Sequence, residues 1–291
     1  MPAHDRPAAY AHPVLRILDA RTGELVPAAP ARRGLTRTEA HACGPDPTSL
    51  RVLLTADLLV RALELDSTPV WTTLAAPHGA ADLNTAATAL SIRPFEDARD
   101  LSPGLPKAQA IQVTADRTTA FGAGPVMQVA PVEWTGKEPV SGRSASSSGS
   151  GPAAGRAAEP GSEQAAPGTA RLALDVLLAD PSALRLALLS VPRAEVVRLD
   201  PGALAEAGGR LARWRRAVAG WAGQPSRPVP EEVRERLRAA WEDDLDLTGV
   251  LDVLRDVERA PQLPDGARFE TYVYADRLLA LDLARDLGSL A

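Results

Sequence analysis

The stretch from Glu39 to Leu63, EAHACGPDPTSLRVLLTADLLVRAL, constrains the fold of this chain more than any other. A short run ends in Cys43-Gly44-Pro45, a tight loop follows, and a strong helical pattern begins. Leu50, Leu53, Leu54, Leu58 and Val60 to Leu63 recur close to helical spacing, with Arg51, Asp57 and Arg61 between them. Asp46 and Ser49 are good N-cap residues, and Pro47 suits a first turn. Strand, Gly-Pro loop and helix in that order turn backbone N–H groups and the positive helix end towards an anion, as at the opening of a nucleotide-binding α/β unit.

The flanking segments extend that unit. Val14 to Leu18 reads as a strand, Thr22-Gly23-Glu24 as a turn and Pro27 to Arg33 as a loop. Thr68 to Leu74, TPVWTTL, alternates β-branched residues around Trp71 and reads as a buried strand. Residues 80–90 read as a helix and Pro94 to Asp100 as a further short one. The order β–α–β–α favours a parallel sheet with right-handed crossovers. Ala110 to Thr114 and Val126 to Val132 are two more strand candidates, with Phe121-Gly122-Ala123-Gly124 as a turn between them.

Residues 135 to 170 change character: they are rich in Ser, Gly, Ala and Pro and almost devoid of large apolar side chains, the composition of a flexible linker. From Arg171 the chain is expected to be helical to its end. Asp180-Pro181 starts a helix to Ser190. Leu204, Ala207, Leu211, Trp214, Val218 and Trp221 form an amphipathic ladder, and further helices follow from Pro230, from Leu247 and over 270–287. Short loops between them predict antiparallel packing. The division is therefore a tail at 1–13, an α/β domain at 14–134, a linker at 135–170 and a helical bundle at 171–291.

With 291 residues the chain has room for both cores, and with a net charge of −5 any RNA contact needs a local basic patch. A single cysteine excludes an intramolecular disulfide and any multi-cysteine metal site. No run approaches the ~20 apolar residues of a membrane span, and MPAHDRPAAYAHP has no apolar signal core, so a cytoplasmic protein with no membrane partner is expected.

Several segments in combination resemble the cysteinyl-tRNA synthetase family, including the cysteine:glucosaminyl-inositol ligase of mycothiol synthesis. Leu15-Arg16-Ile17-Leu18-Asp19 resembles the family's opening strand, Cys43-Gly44-Pro45 its CGP, and residues 80–101 its segment after the second strand. Asp180 to Ser190, DPSALRLALLS, is close to the family's DPDALRLYLLS, and Trp241 to Asp246 resembles its MDDDLNTP. The resemblance implies a Rossmann-like domain of the class I synthetase, HUP type followed by an all-α bundle. It also implies activation of an amino acid by ATP, followed by transfer to tRNA or to a small acceptor.

The sequence departs from that pattern where the chemistry sits. The family's HIGH histidines contact ATP phosphates, but here Asp46-Pro47-Thr48-Ser49 runs straight into the helix. In place of KMSKS stand Lys137, Ser141 and Arg143. By resemblance, Cys43, Gly44, Pro45, Thr48, Ser49, Lys137, Ser141 and Arg143 would form the degenerate nucleotide site. Zinc is not expected, because the family's site uses two cysteines, a histidine and a glutamate, while only Cys43 with His41 stands here. Taken alone, Cys43 reads as a small buried residue at a strand end. Arg210, Arg213, Arg215 and Arg216, around Trp214, form the RNA-binding candidate, with a solvated helix face as its competitor. Three functions remain open: a silenced synthetase-like paralogue, an active ligase with a rewired site, and a non-enzymatic module for RNA or a protein partner.

Overall fold

The computed structural model describes residues 14–29, 36–98, 109–116, 124–136 and 174–288. Thr36–His41 (β3) is the central strand of a five-stranded parallel sheet. Before it, Arg16–Asp19 (β1) and Glu24–Pro27 (β2) form an antiparallel hairpin. After it come helix Pro47–Leu65 (α1), strand Val70–Ala75 (β4), helix Ala80–Ala89 (α2) and strands Glu96–Asp97 (β5), Gln109–Thr114 (β6) and Val126–Gln128 (β7). The sheet order is β5-β4-β3-β6-β7. The first three sheet strands thus step one way from the centre and the last two step the other way. This is the doubly wound arrangement, in which a crevice opens outside the carboxyl ends of the strands where the winding reverses. That point lies between β3 and β6.

Asp46 caps α1 as the sequence predicts, with Pro47 in the first turn. The helix is buried on nearly every side, at Leu50, Val52, Leu53, Leu54, Leu58 and Leu59 and also at Arg51 and Asp57. A helix with no wet face is packed on all sides, and α1 lies between the sheet and the helical part of the chain.

That helical part begins with a turn at 174–177 and continues with Pro181–Leu189 (α3), Pro201–Trp221 (α4), Glu231–Glu242 (α5), Leu247–Arg259 (α6) and Asp265–Leu279 (α7). Asp180, Asp200 and Asp246 cap α3, α4 and α6 through their carboxylates. Trp214, Trp241 and Tyr272 fill its centre, the Trp214 and Tyr272 rings meeting edge-on at 5.9 Å. One continuous apolar core runs from Ile17 through Leu53 and Ile111 to Trp214 and Leu279. Among the described residues no helix is long and apolar enough to cross a membrane.

Several expectations are corrected. β2 lies partly within the segment read as a loop, because its hydrogen bonds come from β1. Residues 94–97 are not helical: Glu96 and Asp97 pair with Thr73 and Leu74, and the sheet edge overrides a locally helix-like start. The strand expected over 126–132 breaks before Pro131, and Val132–Trp134 (β8) pairs in parallel with Val197–Leu199 (β9). The second half is therefore not wholly helical. The last helix starts at Asp265 and ends at Leu279 rather than spanning 270–287. Ala280 is left-handed there, and Asp276 accepts from the amides of Leu281 and Leu283. Of the expected linker, residues 137–170 lie outside the described residues, as do Phe121, Gly122 and Ala123.

Candidate small-molecule cleft at the carboxyl ends of the strands

The registers of β3, β4 and β6 bring His41, Ala75 and Thr114 side by side at one end of the sheet. Beyond them opens a cavity of about 440 Å³. After β3 it is lined by Ala42 and Cys43, after β4 by Ala76 and Pro77, with Asp97 of β5, and after β6 by Asp116. Cys43 and Asp116 each stand two residues beyond the end of their strand, so neighbouring strands deliver them to the same wall. The size falls in the ~300–1,000 Å³ range of small-ligand sites.

Cys43 is exposed, correcting the expectation of a buried residue: it is Ala42 that the strand end buries. Burial against the wall nevertheless pushes the thiol up from its ordinary value, and the carboxylates of Asp116 and Asp46 push it further. The imidazole Nε2 of His41 lies 2.5 Å from the Oε1 of Gln112, which is buried in the sheet, and 3.8 Å from a Glu39 carboxylate oxygen. His41 and Cys43 thus share the cleft, but among the described residues no group of three or more His, Cys, Asp or Glu is placed to hold a metal ion.

The start of α1 is fully accounted for. Pro47 has no N–H. The amides of Thr48 and Ser49 donate to Asp46 Oδ1, at 2.8 and 2.9 Å, and the Ser49 hydroxyl donates to Asp46 Oδ2 at 2.7 Å. The Leu50 amide donates to the Asp46 carbonyl. The Thr48 hydroxyl accepts from the amide of Val132 and so faces β8. An ATP phosphate at this helix end would find its donors taken and a carboxylate in place, so the residues here do not fit one. Gly44 and Pro45 complete the loop, and Pro45 packs beneath Gly79, the left-handed N-cap of α2, where a Cβ would come within 2.7 Å of the proline ring. Lys137, Ser141 and Arg143 lie outside the described residues. His78 is exposed and is not part of the wall.

The structure disperses the arginines of α4. Arg215 turns inward and donates to the carbonyls of Leu281 and Asp282 at 2.6 and 3.0 Å. Arg213 pairs with Glu258, which also accepts from the Trp214 indole, while Arg216 reaches back to the carbonyl of Ala212. Arg210 is half-buried, and burial followed by the neighbouring Arg255 pulls its guanidinium down from the usual value.

Sequence reasoning missed Asp97 and Asp116. The signal for Asp116 was present, since it follows AIQVT at the offset at which Cys43 follows the preceding strand. Asp97 was hidden by the mistaken helix.

Fold and cleft together define a doubly wound α/β protein with an open cleft at its topological switch point, joined to a helical part. No family model matches the chain. Part of it is similar to proteins named L-cysteine:1D-myo-inositol 2-amino-2-deoxy-alpha-D-glucopyranoside ligase. That of Thermobispora bispora is 45% identical over 76 residues, 26% of this chain and 18% of the relative. That of Streptosporangium roseum is 46% identical over 76 residues, again 26% and 18%, and that of a Parafrankia species 47% over 73 residues, 25% and 16%. The match thus spans less than a fifth of the length of these relatives. It supports, over that stretch, the cysteine-ligase side of the family that the motifs resemble.

Proposed function

We propose that the chain is a cysteine-ligase-like protein on a class I synthetase-type frame, in which ATP-driven activation is silent. The observation that carries this reading is the closed start of α1. Phosphoryl and adenylyl chemistry depends on positioning and on donors preorganised around the phosphates. Here Asp46 takes the amides of Thr48 and Ser49 and adds a negative charge of its own. The similarity to cysteine ligases supports the ancestry. An active ligase with a rewired site is the competing reading, and pyrophosphate exchange separates the two. With cysteine, ATP and magnesium, no cysteine-dependent exchange of labelled pyrophosphate into ATP is expected, and calorimetry with millimolar ATP should register no binding. Cysteine-dependent exchange above the no-enzyme control would overturn the proposal.

A further inference from the structure

A second cavity, of about 30 Å³, lies between α1 and α3 and is bounded by the loop after α3 and by Leu245 and Leu247. It exceeds the ~10–15 Å³ that one water-sized occupant needs and is far smaller than a substrate pocket. It shares no lining residue with the cleft at the strand ends. Its wall combines two guanidiniums, Arg51 and Arg193, and one hydroxyl, Thr55, with leucine and valine side chains.

Arg51 is 2% exposed, and its Nη atoms donate to four carbonyls, which carry no charge. The Arg193 side chain is 9% exposed. Its Nη1 donates to the carbonyl of Gln128 and its Nη2 to the carboxylate of Asp244, while its Nε is buried with no acceptor. A buried donor left in that state is costly. The two guanidiniums also act on each other, since burial and then Arg193 draw Arg51 down. Asp244 pairs with Arg193, and Glu195 acts on Arg51 from an exposed position, but neither carboxylate lines the cavity.

The wall suits an anion better than a water molecule. A buried water settles where donors and acceptors are both at hand. Here the sole acceptor among the lining side chains is the Thr55 hydroxyl oxygen, whose proton is given to the Arg51 carbonyl at 2.9 Å. A neutral occupant would also leave the two positive charges as they stand, whereas a negative one attracts both in a setting where water screens little. We propose that this cavity binds one small monovalent anion of the size of chloride, with the Arg193 Nε–H as its donor and the charges of Arg51 and Arg193 as its counterpart. The ion adds a tie at the joint of the α/β part and the helical part, where both arginines already hold carbonyls. Binding here is independent of whether the nucleotide site is silent.

The test is thermal unfolding of the full chain, followed by circular dichroism at a fixed ionic strength of about 0.15 M, with sodium gluconate replaced stepwise by sodium chloride or bromide. Gluconate is too large for the cavity, and constant ionic strength removes general screening. The midpoint is expected to rise and saturate, by about 3 °C at chloride roughly ten times its dissociation constant, and to rise similarly with bromide. Arg193→Gln removes the Nε–H and the charge and should abolish the chloride-dependent rise. Crystals grown in sodium bromide should show an anomalous bromide peak beside Arg193 Nε, and this peak decides the matter if Arg193→Gln does not fold. Equal midpoints in gluconate and chloride, an undiminished rise in a folded Arg193→Gln, or bromide peaks on the surface alone, an adventitious ion only, would each overturn the inference.

Discussion

Cys43 shows how far a single residue's behaviour depends on its neighbours. A thiol near the start of a helix usually becomes a better thiolate, because the helix dipole favours the anion. Here Asp46 caps that helix start, and burial, Asp116 and Asp46 all push the thiol up. The sign follows directly: a raised value leaves a smaller thiolate share at neutral pH, and only the thiolate attacks. With no ligand present, the alkylation rate of Cys43 should therefore rise to its plateau at a higher pH than that of a free cysteine. Asp116→Asn should move the profile back towards lower pH, while the burial contribution remains. A profile that coincides with free cysteine, or one that Asp116→Asn does not move, would show that these carboxylates do not govern the thiol. CGP was legible in the sequence as the end of a strand, but its charge environment was not. Asp116 is 73 residues away and meets Cys43 only because β3 and β6 are neighbours in register.

The elements were legible where the pattern is long and local. α1 and α4 could be read because their apolar ladders run through many turns and their caps are Asp followed by Pro. β2, β5, β8 and β9 were not, because strands of two to four residues exist only through partners elsewhere in the chain. The β1–β2 hairpin depends on one such distant contact. Asp19 accepts from the amide of Val126 at 3.0 Å and from that of Arg21 at 3.1 Å, and the Arg21 side chain in turn reaches the carbonyl of Gly124. Burial alone would raise the Asp19 carboxyl, but these amides and the Arg21 guanidinium outweigh it and hold it below its usual value. A carboxyl lowered in the folded state contributes stability that is present above its unfolded value near pH ~4 and is lost as the pH falls through the lower folded value. Asp19→Asn should therefore cost about 1–2 kcal/mol in urea unfolding at pH 7, the scale of one weakened buried hydrogen-bond set. The gap from the unmutated protein should narrow as unfolding is repeated at successively lower pH below ~4. A gap that stays constant on acidification would mean that Asp19 acts through shape and not through its charge.

At the scale of the whole molecule, the α/β part and the helical part share one apolar core and are also joined by buried arginines. Arg185 of α3 donates to the carbonyls of Leu90 and Leu279, both at 2.7 Å, and faces Asp57 of α1. Arg51 of α1, 2% exposed, donates to the carbonyls of Ala130, Glu195 and Pro192 at 2.7–2.8 Å and of Val191 at 3.2 Å. Sequence reading placed Arg51 only as a charged residue between the apolar positions of the helix. It could not foresee that both faces of α1 are covered, one by the sheet and the other by a loop more than 140 residues away. Burial and then the neighbouring Arg193 pull its guanidinium down to about 10, so Arg51 is still charged at neutral pH and its enclosure is offset by those carbonyl contacts. Removing the guanidinium with a side chain of similar length, Arg51→Met, leaves several carbonyls without a donor. The expected loss is about 3–5 kcal/mol, the range for breaking a buried charged network, or roughly 10 °C in the thermal midpoint. Because these carbonyls belong to the joints between β7 and β8 and between α3 and β9, the loss should also weaken the coupling of the two parts. Far-UV circular dichroism, dominated by the helices, and exchange protection of the β3 and β6 amides should report one midpoint in the unmutated protein and two in the variant. Arg51→Lys keeps the charge but offers a single nitrogen in place of a planar fork, so it should recover only part of the loss. If Arg51→Met unfolds within about 1 kcal/mol of the unmutated protein, the halves are held by their shared apolar core, and this arginine contributes little more than an exposed side chain would.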